Sequence, residues 1–273
     1  MKNRILLTTV FSAFNYGSCL QAFAGKQIIR KVGYECDLVK LKSLVKGRDV
    51  RFRKLMTILF RLLFLNKNNA LKTYGKSYEK ALVDGTERKF FAFTDEYLKP
   101  VEVSWRRLKS IAKEAVACFS GSDQIWNSST LYVDPLYYLR FAPKQKRVAL
   151  SPSFGRNFIA DYNKNKMKKW INDYPYLSVR EDSGVKLIKE LTGLEAQHLL
   201  DPTLIINSEE WRKNLHIEEK TKNYILAYFL DEPSSHAKKA LKALKEQLNC
   251  KVIALPYKFE DMDYCDEAVA AGT

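Results

Sequence analysis

Histidine and paired cysteine are what this sequence most conspicuously lacks. Three histidines (His198, His216, His236) are scattered through 273 residues without metal-ligand spacing, and Cys19, Cys36, Cys118, Cys250 and Cys265 form no CxxC pair. These absences argue against a sequence-encoded zinc site and a disulfide framework, so the expectation is no metal and reduced, packed thiols in a cytoplasmic protein. Long apolar runs are missing too: no charge-free stretch is long enough to span a bilayer. Met1-Lys2-Asn3-Arg4 followed by Ile5–Val10 loosely imitates a secretory signal. Ser12 and Asn15-Tyr16-Gly17 break the run early, which better suits a short buried strand entering a loop. Neither a full GxGxxG nor a recognised nucleic-acid motif is present.

Acids are short as well, with 31 Asp and Glu against 46 Lys and Arg, for a net charge of +15. Residues 221–273 hold seven lysines and eight acids, so the excess lies wholly in residues 1–220. A field of that sign favours nucleic acid, an anionic leaflet or phosphorylated small molecules. Hydrophobic residues make up 46% of the chain, enough to fill a core and exclude a disordered chain. Between residues 40 and 72, ten cations (Lys40, Lys42, Lys46, Arg48, Arg51, Arg53, Lys54, Arg61, Lys67, Lys72) face one acid, Asp49. Among them runs Leu55–Leu65, a helix apolar almost all round. Two readings suit it: a helix lying in a membrane interface or against a lipid-linked substrate, and a helix buried in the domain between solvated charges.

The remaining pattern is that of an α/β chain. Residues 4–10 read as a strand, 19–32 as a helix ending near Gly33, and Glu35–Leu38 as a second strand. Glu87–Leu98 and Trp105–Ile111 look helical. Four short apolar strands then end in small or polar residues: Ala115–Phe119 before Ser120-Gly121-Ser122-Asp123, Arg147–Leu150 before Ser151-Pro152-Ser153, Leu177–Val179 before Arg180, and His198–Leu200 before Asp201-Pro202-Thr203. Open α/β sheets build ligand sites at such carboxyl ends. A boundary is expected near 205–222, dividing a domain at 1–215, with a basic helical insertion at about 40–112, from a second at 216–273. The second reads as one βαβ unit: strands Tyr224–Leu230 and Lys251–Leu255 around helix Ser235–Leu248. One such unit is too little to bury both faces of a parallel sheet, so this domain reads as incomplete.

Several residues carry candidate chemistry. Gly17 and Ser18 after the first strand suit either a turn bringing a helix N-terminus to a phosphate or sugar, or a plain strand-to-helix turn. In Ser120–Asn127, Gly121 permits a tight turn, Ser122 and Asp123 supply a hydroxyl and a carboxylate, and Trp126 offers a flat face for a sugar. The same segment also reads as a helix cap through Ser122 or Asp123. Arg180, at a strand end, suits a bidentate grip on carboxylate or phosphate oxygens, or an ion pair with Glu181 or Asp182.

Taken in order, these blocks resemble the polysaccharide pyruvyl transferase family. Asn15-Tyr16-Gly17-Ser18-Cys19-Leu20-Gln21-Ala22 is similar to its opening N-Y-G-x-x-L-Q-A, and Phe90–Leu98 to F-x-x-F-x-x-x-Y-L. Gly121–Asn127 is similar to G-S-D-Q-I-W-N, and Ser153-Phe154-Gly155 to S-F-G. Ser178-Val179-Arg180-Glu181 with Gly184 is similar to S-V-R-E-x-x-G, and Asp201–Leu204 followed by Trp211 to D-P-T-L. The resemblance implies a GT-B-like fold of two Rossmann-like domains, here an N-terminal one and the first βαβ part of a second. It implies phosphoenolpyruvate as donor, a saccharide, often lipid- or polymer-linked, as acceptor, and a pyruvate ketal as product, with no cofactor. On this reading Arg180 holds the donor, and Asp123, with Ser122 and Gln124, orients the acceptor or assists proton transfer. Asn15, Tyr16 and Gly17 line the same crevice, together with Gly121, Trp126 and Ser153.

One departure bears on activity. The family's later T-D-S-F-H-G-like block, whose histidine belongs to the donor site, has no counterpart before Thr273. The expectation is therefore a truncated or partial chain with little transferase activity. Two other readings remain: a GT-B-type glycosyltransferase using a nucleotide sugar, and a non-enzymatic basic module binding anionic lipid or nucleic acid. The expected setting is cytoplasmic, with peripheral contact at the inner membrane and no nucleic-acid partner.

Overall fold

The structure, a computed structural model, describes residues 3–11, 15–44, 51–64, 86–218, 223–229, 232–255 and 262–268. It is mixed α/β, with eight α-helices among the described residues. The chain divides into two compact units, one of Met1–Ala70 and Thr94–Ser208, the other of Leu71–Phe93 and Glu209–Thr273.

The first unit is built on a five-stranded sheet, all of its pairings parallel. Strand β1 (Arg4–Thr8) lies in the middle, flanked by β2 (Glu35–Leu41) and then β3 (Val101–Val103) on one side. On its other side come β4 (Ala117–Ser120) and then β5 (Arg147–Ala149). Ile5 to Thr8 are all buried, because a central parallel strand is covered on both faces and reads as a continuous apolar run. A separate parallel pair, β6 (Ser178–Val179) with β7 (Gln197–His198), follows β5 through a bridge between Val148 and Tyr176.

Helix α1 (Tyr16–Lys31) starts where Asn15 caps it, its side chain accepting from the Ser18 amide at 3.0 Å. It ends with Arg30 and Lys31 against the helix dipole and Gly33 at φ +88°, a left-handed stop that glycine takes without strain. Lys26 of α1 is buried and donates to the Leu98 carbonyl, closing the π-turn Thr94–Leu98. Helix α2 (Phe52–Phe64) follows β2. Helix α3 (Thr86–Phe93) belongs to the second unit. Strand β3 lies inside the segment expected to be a helical insertion and pairs with β2; three residues give too short a pattern to be read as a strand.

Helix α4 (Trp105–Glu114) is capped by Ser104 and buries Leu108, Ile111 and Ala112. Helices α5 (Asp161–Ile171) and α6 (Asp182–Thr192) complete the layers around a core in which Trp126 stacks on Tyr138 at 5.3 Å between ring centres. Asp173, after α5, accepts from Arg140 and Arg147 and pairs with Lys144 at 2.6 Å.

The second unit holds helix α7 (Ser208–Leu215) and a parallel sheet in the order β10 (Glu267–Ala268), β9 (Lys251–Ala254), β8 (Tyr224–Ala227). Helix α8 (Ser235–Leu248) joins β8 to β9, capped by Ser234 and stopped by Asn249 in the left-handed region. Ile225 and Ala227 pack into a small cluster with Val252 and Ala254, while Tyr224 and Leu226 on the other face are exposed.

Candidate active site

The carboxyl ends of β1, β4, β5 and β6 converge with the loop after β7. At the end of β1, Thr9 donates to the Ser122 carbonyl at 2.6 Å, and Gln21 of α1 fixes that threonine and the Val10 carbonyl. Gly121 sits hard against β1: a β-carbon there would lie 3.0 Å from Leu7 and Thr9, a tight contact that glycine avoids. Ser122 is buried, and its hydroxyl donates to Asp201 Oδ2 at 3.2 Å.

Asp123 adopts φ +75°, a strained conformation for a residue with a side chain. Its carboxylate receives the Ser18 hydroxyl at 2.5 Å on Oδ2 and the Gln124 amide at 2.7 Å on Oδ1. The end of β4 and the first turn of α1 are thereby joined. Ser153 continues the loop: its amide donates to the Asp123 carbonyl at 2.8 Å, its carbonyl accepts from the Trp126 amide, and its hydroxyl donates to Glu181.

Arg180 is the cation of this cluster. Its Nη1 donates to Asp201 Oδ2 at 2.7 Å and its Nε lies 3.4 Å from Glu181 Oε1. Burial works against the guanidinium's charge, yet the hydrogen bond and charge of Asp201, with Glu181 and Asp123 nearby, raise its pKa above the ordinary value. Burial likewise opposes ionisation of Asp201, but Thr203 and then Arg180 hold that carboxyl below the usual range. Glu181 keeps its second oxygen, Oε2, buried and without a hydrogen-bond partner, as is the hydroxyl of Ser151.

The residues nominated from sequence do not all occupy this cluster in the same way. Asp123, Ser122, Ser153 and Arg180 meet through Ser18, Glu181 and Asp201. Asn15 caps α1, with Tyr16 and Gly17 in its first turn, the end of the helix that carries Ser18. Gln124 is exposed and lies against Gly155, which adopts φ +61° and leaves no room for a β-carbon. Trp126 corrects an expectation. It is fully buried between Tyr138, Phe154 and Tyr174, its indole N–H bonded to the Tyr137 carbonyl at 3.2 Å, so neither face is open to a sugar. An apolar ring beside a β4 end is worth more in the core than in water.

Ser18 was read only with Gly17 in a turn, Glu181 only as one ion-pair partner for Arg180, a pairing present at 3.4 Å, and Asp201 was given no role. Asp201 carried a readable signal, a carboxylate directly after a strand end and before Pro202. Among the described residues no group of histidine, cysteine, aspartate and glutamate could hold a metal ion. No helix among them is long and apolar enough to cross a membrane.

A parallel sheet whose strand ends gather a guanidinium, three carboxylates and several hydroxyls defines an α/β protein with a hydrogen-bonded polar cluster at those ends. The sequence model of the polysaccharide pyruvyl transferase family matches residues 15–269, nearly the whole chain, and the chain belongs to that family, whose name implies a transferase with a polysaccharide acceptor. No curated protein and no solved structure matches it.

Proposed function

We propose that the chain transfers a pyruvyl group from phosphoenolpyruvate to a saccharide, forming a pyruvate ketal in cell-surface or exopolysaccharide biosynthesis. The observation that carries this reading is Arg180, held at a strand end by Asp201 and Glu181 within reach of the carboxylate field of Asp123. Arg180 grips the donor's carboxylate or phosphate through the part of its fork that the two acids leave unused. The first turn of α1, free of acids, adds the partial positive charge of a helix start.

In the chemistry proposed, an acid protonates the methylene carbon, a sugar hydroxyl attacks the adjacent carbon, and a second hydroxyl closes the ketal by taking the place of the departing phosphate. Asp123 takes the proton-transfer or acceptor-orienting role, beside Ser122 and Gln124.

The strand order β3-β2-β1-β4-β5, parallel throughout, supports a Rossmann-like first domain, and the β8–α8–β9 unit supports the start of a second, as in a GT-B-like fold. We place the domain boundary at residue 215 and the protein in the cytoplasm, at the inner face of the membrane, with a lipid-linked acceptor. Thermal-shift titration tests the donor: phosphoenolpyruvate at about a hundredfold its Kd should stabilise the chain by about 2.7 kcal/mol, while nucleotide sugars should not. Arg180→Ala should abolish the shift. A shift with a nucleotide sugar alone would replace this reading with a glycosyltransferase.

A further inference from the structure

Helix α2 is held at its ends by arginines, while five of its apolar side chains lie exposed. Just before it, Arg51 grips Asp134 through both terminal nitrogens and lies over the Tyr132 ring at 5.9 Å. Near its other end, Arg61 donates to the Leu131 carbonyl at 2.9 Å and to Asn163 Oδ1 at 2.8 Å, with its guanidinium over the Tyr162 ring. Phe52, Leu55, Met56, Leu59 and Phe60 are meanwhile 46–70% exposed. Their spacing of three and four residues sets all five on one stripe of the helix. The reading of a helix buried in the domain is therefore corrected for these five, whose stripe is exposed. A contiguous apolar surface of this kind marks an interaction site.

The surroundings of that stripe are predominantly basic, with Asp161 in the first turn of α5 as the acid beside them. Helix α2 contains no acid, and Arg53 on it is exposed. Neighbouring α5 adds Lys164, Lys168 and Lys169, all exposed, and Lys166. Burial, and after it the like charges of Arg61 and Arg53, lower the Lys166 pKa, so the cations of the two helices act on one another. Among the described residues no carboxylate forms an ion pair with Arg53, Lys164, Lys166, Lys168 or Lys169. Their charge is therefore open to an anionic partner.

We propose that helix α2, flanked by α5, is a docking surface for an anionic lipid bilayer. The helix lies in the interface plane, its five apolar side chains toward the acyl chains and the cations of α2 and α5 among the headgroups. A second copy of the chain is the poorer occupant, because two such faces would bring like charges together. Nucleic acid would answer the charge but leave the apolar stripe in water. The surface is independent of the donor assignment, and its test uses neither donor nor acceptor.

The test is cosedimentation of the full chain with phosphatidylcholine vesicles and with vesicles also containing phosphatidylglycerol, at low and high salt. Binding should require the anionic lipid and weaken with salt. Leu55→Asp with Leu59→Asp should weaken it on the order of tenfold or more, and Arg53→Glu with Lys168→Glu should remove the anionic-lipid preference while far-UV circular dichroism is unchanged. The proposal fails if the unmodified chain ignores anionic vesicles, or if both pairs of substitutions leave binding intact. It also fails if oligonucleotides compete the chain off the vesicles while the leucine substitutions have no effect, or if light scattering shows that the leucines hold a dimer together.

Discussion

Arg180 and Asp201 meet at 2.7 Å across 21 residues of chain, and the Asp201 oxygen that takes this bond also accepts from Ser122 at 3.2 Å. One oxygen therefore joins the ends of β4 and β6 to the loop after β7. Asp201→Asn should lower stability by about 1–3 kcal/mol, because it strips a partly buried guanidinium of its main partner. Arg180→Ala should cost less, since Asp201 keeps its bonds from Thr203 and Ser122. Urea midpoints of the two variants give the ranking, and the reverse order would contradict it.

Acid should weaken the first unit through Asp173. Burial pushes this carboxyl up, but Lys144 and Arg140 more than offset it and bring it down to about 2. A carboxylate depressed in the folded state adds stability only while ionised. Its contribution is complete above the unfolded value of about 3.9 and is lost as pH falls through the folded one. Allowing for solvent screening, the effect is about 1–2 kcal/mol, lost between about pH 4 and pH 2. Asp173→Asn should lose that stability at neutral pH and flatten this acid limb of the unfolding curve.

Trp126 should behave as a core residue. Trp126→Ala is expected to cost about 3–5 kcal/mol. Trp126→Phe, which loses the bond to the Tyr137 carbonyl and some packing, should cost about 1–3 kcal/mol. Thermal shift by phosphoenolpyruvate should survive in the folded Phe variant. A loss of ligand response at unchanged melting temperature would return the ring to the site.

The thiols should separate into two classes. Cys19, Cys36 and Cys118 are buried, and burial pushes each up to about 12, whereas Cys250 and Cys265 are partly exposed. Alkylation of the native protein at mildly alkaline pH should reach Cys250 and Cys265 at least an order of magnitude sooner than the others. Mass spectrometry of the labelled peptides reads this directly, and early labelling of Cys118 would argue against a closed sheet at β4.

The strands that proved easiest to read are the central ones. β1 is buried on both sides and β4 alternates buried Cys118 and Ser120 with half-buried Ala117 and Phe119, so both read as apolar runs, and the residues following them had to be small or polar to turn at a crowded sheet end. β3 and β10 were not legible, since two or three edge residues carry no period. Helix α5 was missed because Asp161–Ile171 mixes four lysines with only a few apolar anchors, Met167, Trp170 and Ile171. In the site, Arg180 and Asp123 were readable from residue type and place. The pairing of Ser18 with Asp123 was not, because nothing local relates a helix's first turn to a loop 105 residues later. Trp126 misled because a sequence shows a ring's chemistry but not which way it faces.

The bonds that assemble the polar cluster are long in chain terms: Ser18 to Asp123 spans 105 residues, Thr9 to Ser122 spans 113, and Ser122 to Asp201 spans 79. Closing loops of that size is slow and comes after local helices have formed. Ligand response should therefore appear among the last events of refolding, making it a clock for completion of the sheet and not for the collapse that precedes it.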